Sequence, residues 1–279
     1  MPDIGFLNGR FMALEDVKIS VEDRGFQFGD GVYEVVRTYG GTPFRLQEHL
    51  QRLQRSVQAL ALPMPFTLDE WSDFVREGVK RAGYSQHKIY IQITRGVSPR
   101  DHAFPGHQNA TCVMTVRELR ALDPALRRSG VSAITTPDLR WGRCDIKSLN
   151  LLPNVLARQQ AKEAGVFEAV FVRNDIVTEG AVSNVMIVSK GRLCTAPEDA
   201  RILSGVTRRL VLDLARKAGI GVQERDILLD ELRAADEALL TGTTVEVLPL
   251  VRLDGRPIGG GAPGPVTTRL AGSFRDGRA

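Results

Sequence analysis

Arg143-Cys144-Asp145-Ile146-Lys147-Ser148-Leu149-Asn150 places one lysine near mid-chain, between two short apolar pieces and ahead of the helix start Pro153-Asn154. A lysine whose ammonium is desolvated loses basicity and becomes a usable amine nucleophile. A lysine taken alone is more often a solvated surface residue. The rest of the chain has to decide between the two.

Composition narrows the field. The chain has 279 residues, 43% hydrophobic and 25% charged, which suits one large globular domain or two smaller ones. Its 37 basic and 33 acidic side chains leave a net charge of +4 with the signs mixed, which favours neither a nucleic-acid nor a membrane partner. No apolar run approaches the length of a membrane span. Cys112, Cys144 and Cys194 are widely spaced and form no C-x-x-C pair, as expected of a chain in a reducing cytoplasm. Met1-Pro2-Asp3-Ile4-Gly5 has no basic stretch leading into an apolar run, so no secretory signal is expected.

Strand-like pieces open the chain around Phe6–Leu14 and Val17–Ser20, followed by a Gly-rich turn from Gly25 to Gly31. Val32–Tyr39 and Pro43–Leu46 flank Gly40-Gly41 as a hairpin. Leu46, Leu50, Leu53, Val57 and Leu60 recur at steps of four and three, one apolar stripe of a helix. A second helix is expected from the N-cap Thr67 to Ala82, before Gly83. Lys88–Thr94 and Ala110–Val116 read as strands. Glu118–Gly130 is charged, contains Pro124 and lacks a stripe, so it reads as a linker. Beyond it, strands are expected at Val131–Thr136, Ala169–Arg173, Val185–Val188 and Ala238–Leu240. Helices are expected at Asn154–Ala164, Thr207–Ala218 and Leu228–Ala235, with a short final one after the Gly/Pro loop at Gly259–Gly264. The alternation lacks a strict βαβ rhythm. It predicts two α/β domains built on mixed sheets: a small one over 1–118, a linker over 119–130 and a larger one over 131–279.

Several familiar sites are missing: there is no G-x-G-x-x-G, P-loop, H-E-x-x-H or G-x-S-x-G motif. His49, His87, His102 and His107 have no Cys or carboxylate at ligand spacing, so no metal is expected. What remains suits an anionic cofactor. Ile202-Leu203-Ser204-Gly205-Val206-Thr207-Arg208 puts a small-residue turn before an apolar-striped helix, where free N–H groups and the dipole favour phosphate. A simple helix cap fits the same residues. Thr241-Gly242-Thr243-Thr244 can add hydroxyl donors. Arg52, beside the stripe of its helix, can snorkel outward or present a fork to phosphate. Glu179, at a strand end beside Gly180, is either an exposed strand-end carboxylate or a partner for a protonated ring nitrogen. The loop from Arg95 to His102 carries three basic side chains, and it is either a solvated loop or a trap for a substrate carboxylate.

These pieces together resemble one family. Asp23-Arg24-Gly25-Phe26-Gln27-Phe28-Gly29-Asp30-Gly31-Val32-Tyr33-Glu34, Glu48-His49-Leu50-Gln51-Arg52-Leu53 and Thr94-Arg95-Gly96 through Pro105 look like the D-amino-acid (D-alanine) aminotransferases, of the fold-type IV pyridoxal-phosphate enzymes. So do Arg143–Leu152, Thr178-Glu179-Gly180 with Ser183-Asn184, and Gly205-Val206-Thr207-Arg208, in the same order up to about Pro249. The resemblance implies the two-domain fold-type IV transaminase fold, with pyridoxal 5′-phosphate in the cleft between the domains. It implies a Schiff base at Lys147, which also shuttles the proton, and Glu179 on the ring nitrogen. It gives Arg52, Gly205, Val206, Thr207 and Thr243 to the phosphate, and Tyr33, Arg100 and His102 to the substrate carboxylate. In this family the Arg-x-His loop comes from the partner subunit, which implies a homodimer; the cysteines point to a cytoplasmic one. The implied reaction is ping-pong transamination of D-amino acids such as D-alanine with 2-oxoglutarate or pyruvate. Ala181, Val182 and Gly242 depart from the family's hydroxyl residues, and the tail after Leu253 resembles it least.

Two rival readings share part of this evidence. Branched-chain L-aminotransferase, (R)-amine transaminase and 4-amino-4-deoxychorismate lyase share the lysine and the glutamate but hold the carboxylate differently. A non-catalytic carrier of the same cofactor would keep the pocket and lose turnover.

Overall fold

The computed structural model describes residues 2–107 and 109–277. Met1, Gln108, Arg278 and Ala279, which fall inside the two expected domains, lie outside the described residues. The chain forms two compact units. The first takes the chain up to Arg120 together with Ile146–Asn150, and the second takes Ala121–Asp145 and the chain from Leu151 onward.

The first unit contains β1 (Ile4–Leu7), β2 (Arg10–Ala13), α1 (Arg24–Phe28), β3 (Gly31–Tyr39), β4 (Thr42–Pro43), α2 (Leu46–Ala59), α3 (Leu68–Ala82), β5 (His87–Thr94) and β6 (Thr111–Glu118). Its six strands run in the order β2-β1-β6-β5-β3-β4, every pair antiparallel. Ile89, Ile91 and Ile93 are fully buried on alternate positions of β5, the period-two signature of a strand with one core face. The stripe of α2 (Leu46, Leu50, Leu53, Val57) and Trp71, Val75 and Val79 of α3 join them in one core. A capping box between Thr67 and Glu70 starts α3, and Gly83 ends it at φ 70°.

Two local expectations change. The piece around Phe6–Leu14 is a hairpin broken at Asn8-Gly9, which take φ of 47° and 91° as a tight primed turn requires. Val17–Ser20 forms no strand; it follows a single 3₁₀ turn at Leu14–Asp16, and residues 18–20 lie exposed without a partner strand.

The second unit contains α4 (Pro124–Ser129), β7 (Val131–Pro137), α5 (Leu152–Glu163), β8 (Glu168–Arg173), β9 (Ile176–Gly180), β10 (Asn184–Ser189), β11 (Arg192–Thr195) and α6 (Val206–Lys217). It continues with β12 (Gly221–Glu224), β13 (Ile227–Leu228), α7 (Leu229–Arg233), β14 (Glu237–Gly242), β15 (Glu246–Leu253), β16 (Arg256–Pro257) and α8 (Pro265–Asp276). The sheet order is β12-β11-β10-β14-β15-β7-β8-β9-β13, with β16 on β15. The pairs β15–β7, β7–β8 and β11–β12 are parallel and the others antiparallel, a mixed sheet as expected. The expected linker carries α4, capped by Asp123 with Pro124 in its first turn. No strand was expected at Glu246–Leu253, yet one forms there around Pro249. The strand survives because its ladder to β7 begins only at Leu250, so the missing Pro249 N–H is not needed on that edge.

Ile146–Asn150, expected in the second domain, belongs to the first. Tyr33 N–H donates to the Lys147 carbonyl at 2.9 Å, and Leu149 N–H donates to the Gly31 carbonyl at 3.0 Å. An antiparallel bridge joins Val32 to Ser148, and Ile146 enters the first core. The close approach needs glycine at 31: a Cβ there would sit 2.7 Å from the Ile93 carbonyl oxygen and 2.8 Å from Leu149 Cδ1. Gly31→Ala is expected to cost about 1–3 kcal/mol through forced overpacking, read as a lower midpoint of denaturant unfolding with an unchanged slope.

Candidate active site

Lys147 is half-buried on the edge of β3. Its backbone N–H donates to Ser56 Oγ at 3.2 Å, and its Nζ lies 4.3 Å from the centre of the Tyr33 ring. Tyr33 stacks on Tyr90 with ring centres 5.6 Å apart. Lysine and tyrosine, both expected at the site, are therefore brought together by neighbouring backbones.

Arg52 does not snorkel; it is buried on α2 and grips Glu34 of β3. Its Nε donates to Oε2 at 2.9 Å and its Nη2 to Oε1 at 2.7 Å. His49 Nδ1 lies 3.0 Å from the same Oε1. Burial opposes ionisation of Glu34, yet Arg52 and His49 hold its carboxyl far below the ordinary range. Burial pulls His49 below its ordinary value; Glu34 only partly offsets this, and the charges of Arg52 and Lys147 add to the lowering. Nothing in the residue types had singled out Glu34; one turn of α2 facing an alternating strand was the available signal.

The basic loop divides. Arg95 is buried, with Nε and Nη2 on Asp30 at 2.8 and 3.0 Å and the carbonyls of Leu60 and Ala61 accepting its other donors. It therefore belongs to the frame and cannot take part in a carboxylate trap. Arg100 and His102 are exposed and share Phe28: the guanidinium carbon lies 4.5 Å over the ring, and the imidazole centre is 5.4 Å away. Buried Arg24 pins the loop by donating to the carbonyls of Asp101 and His102.

In the second unit, Glu179 lies buried at the end of β9. Its Oε1 accepts from Arg140 Nη1, its Oε2 accepts from Asn184 Nδ2 at 2.9 Å, and Leu203 N–H donates to Oε2 at 3.1 Å. Asn184 also donates to the Leu203 carbonyl at 2.9 Å, directly ahead of α6. A Cβ on Gly205 would meet Asn184 Oδ1 at 2.1 Å. Across the sheet Asn184 pairs with Thr241. One asparagine thus gathers Glu179, the α6 start and Thr241. Thr243 lies half-buried in the turn between β14 and β15.

These groups fit an anionic ring cofactor. The α6 start at Gly205-Val206-Thr207 has no side-chain cap, so its N–H groups are not taken by one. Thr241 Oγ1, on β14 across from Asn184, is buried with no hydrogen-bond partner, a hydroxyl suited to a bound anion. Among the described residues no group of His, Cys, Asp and Glu is arranged to hold a metal, and no helix is long and apolar enough to cross a membrane.

The amino-transferase class IV family model matches residues 31–253. The chain belongs to that family. This class IV aminotransferase is 43% identical to the D-alanine aminotransferase of Bacillus licheniformis over 94% of the chain and 93% of that relative. It is 40% identical to the enzyme of the same name from Staphylococcus haemolyticus, over 96% of the chain and 95% of that relative. Among solved structures it is similar to the branched-chain amino acid aminotransferase of Escherichia coli, with a TM-score of 0.92, 28% identity, and 99% and 94% of the two chains covered. A T.th. branched-chain amino acid aminotransferase with pyridoxamine 5′-phosphate also gives 0.92, at 30% identity and 100% and 96% coverage. The fold is therefore that of the fold-type IV transaminases, as expected.

Two outcomes follow for this class IV aminotransferase. Unfolded His49 takes a proton near its ordinary 6.5, and the folded residue takes it only at lower pH. Stability present above that value is therefore lost as pH falls below it. His49→Gln flattens the decline in Tm between neutral and mildly acid pH, and an unchanged decline contradicts the assignment. Asn184→Ala leaves Glu179 and Leu203 each short of a partner, costs about 1–3 kcal/mol, and weakens cofactor binding by direct titration.

Proposed function

We propose that this chain is a pyridoxal 5′-phosphate-dependent transaminase that moves the amino group of D-amino acids such as D-alanine to a 2-oxo acid. The observation that carries the reading is Lys147 fixed on β3 with its Nζ against Tyr33. Relatives of 40–43% identity over nearly the whole chain carry the name D-alanine aminotransferase.

In this reading Lys147 is the covalent anchor. Glu179 supplies the negative charge for the ring nitrogen. Arg52, the Gly205-Val206-Thr207 helix start and Thr243 take the phosphate, and Thr241 is added to that set on the strength of its unpartnered hydroxyl. Pyridoxal 5′-phosphate, when bound, supplies an electron sink that makes the substrate Cα–H acidic. Tyr33, Arg100 and His102 hold the substrate carboxylate and so decide which face of Cα meets Lys147. Nζ of Lys147 then takes the Cα proton and redelivers it, one general base serving both half-reactions. The proposal includes a homodimer, through the loop of Arg100 and His102, and a cytoplasmic location, which suits three buried free thiols.

Lys147→Ala is expected to lower transamination of D-alanine with 2-oxoglutarate by at least about 10³-fold, the scale on which covalent and acid–base roles act together. Near wild-type turnover would end the proposal. With the intact enzyme, D-alanine is expected to outrun L-leucine; preference for L-leucine would move the chain to the branched-chain reading.

A further inference from the structure

A carboxylate holds a cation on a neighbouring ring only as far as its own charge has not been cancelled. Glu179 is bonded to Arg140, whose guanidinium is buried and lies 4.4 Å over the Phe171 ring. Taken alone, that pair is neutral. The opposite edge of Arg140 is occupied as well: Nε donates to Asp138 Oδ1 and Nη2 to Asp138 Oδ2, both at 2.9 Å. The Asp138 side chain has no solvent exposure, so its charge acts in a medium of low dielectric. Thr178 Oγ1 donates to Oδ2 at 2.9 Å, and the Arg140 backbone N–H donates to Oδ1 at 3.1 Å.

Two other titratable groups lie nearby. Arg173 reaches Asp138 Oδ1 at 3.2 Å from a position 29% exposed, so it adds a second, partly solvated cation on the side of Asp138 away from Glu179. Burial pushes the Cys144 thiol up to about 11, so it stays neutral. Burial also opposes the Asp138 charge, but Arg140 overcomes this and holds the carboxyl below its ordinary value. The buried row Asp138–Arg140–Glu179, counted without the partly solvated Arg173, thus carries one net negative charge. Buried ion networks are seldom the most stable way to fill a core, and this one ends at a residue of the candidate site.

We propose that Asp138 is a positioning residue: by neutralising Arg140 it leaves Glu179 a net negative partner for the protonated ring nitrogen, and so sets how firmly that proton is held. The inference rests on the reading that Glu179 faces the ring nitrogen of pyridoxal 5′-phosphate. It gives opposite signs to two neighbouring substitutions. Asp138→Asn lets Arg140 cancel Glu179, and the ring loses its proton at lower pH. Arg140→Gln removes the competing cation, and the proton is held at least as high as in the wild type. With both changes the two removed charges balance, and the wild-type value returns.

The test uses holoenzyme loaded with pyridoxal 5′-phosphate labelled with nitrogen-15 in the ring, its chemical shift followed against pH, beside thermal unfolding of each apoprotein. Asp138→Asn is expected to lower the ring pKa by on the order of one unit, and the double variant to restore it. An unchanged ring pKa in folded Asp138→Asn overturns the proposal, as does movement of both single variants in the same direction. If Asp138→Asn does not fold, Arg140→Gln is compared with the double variant. Asp138 remains only in the former, which must hold the ring proton to higher pH, and equal values overturn the proposal. Wild-type protein whose labelled signal is absent, or unaltered by Lys147→Ala, overturns the cofactor reading itself and this proposal with it.

Discussion

Two backbone hydrogen bonds between β3 and the segment Ile146–Asn150 determine where Lys147 can be. A lysine side chain has four rotatable carbons, and its reach means little unless its Cα is fixed. Here the Lys147 carbonyl accepts from Tyr33, its N–H donates to Ser56, and Ile146 is sunk in the core of the first unit. The strand it borders is itself paired with β5 along seven residues. An amine so mounted pays little ordering entropy when it acts, which is the advantage of proximity. Gly31 is the point at which this arrangement is most exposed to substitution, since the neighbouring backbone leaves no room for a Cβ.

Each unit carries a buried glutamate gripped by an arginine, and the two differ in what surrounds them. Glu34 meets Arg52 directly and His49 beside it, with the Lys147 charge also close enough to act on His49. Its charge is consumed in holding that cluster together. Glu179 meets Arg140, but Arg140 is already engaged by Asp138. The same residue pair therefore stands in two settings: Glu34 is gripped by Arg52 and His49 together, whereas Arg140 is shared between Glu179 and Asp138. Asn184 completes the second arrangement by tying Glu179 to the loop ahead of α6.

Most of the fold was legible where periodicity was strong. The stripe from Leu46 to Leu60, the Thr67–Gly83 helix and the Gly40-Gly41 hairpin all depend on contacts within a few residues. Failures came where distant contacts rule. Val17–Ser20 has strand composition but no neighbour to pair with. Glu246–Leu253, not expected as a strand, forms one around Pro249, and its ladder to β7 begins only at Leu250. Arg95 looks in sequence like one of three loop cations, but Asp30 holds it inward.

The sequence by itself determined which chemical groups this protein owns: a mid-chain lysine, a strand-end glutamate, a small-residue helix start and the Arg-x-His loop. Local backbone chemistry and motif order carry that much, because both are written in consecutive residues. Tertiary structure alone decided the partners. It put Ile146–Asn150 with the first unit, turned Arg52 inward onto Glu34, and placed Asp138 behind Arg140. Charges act through space and burial, so residues 39 apart in the chain, such as Arg140 and Glu179, become one electrostatic unit only after the sheet has formed.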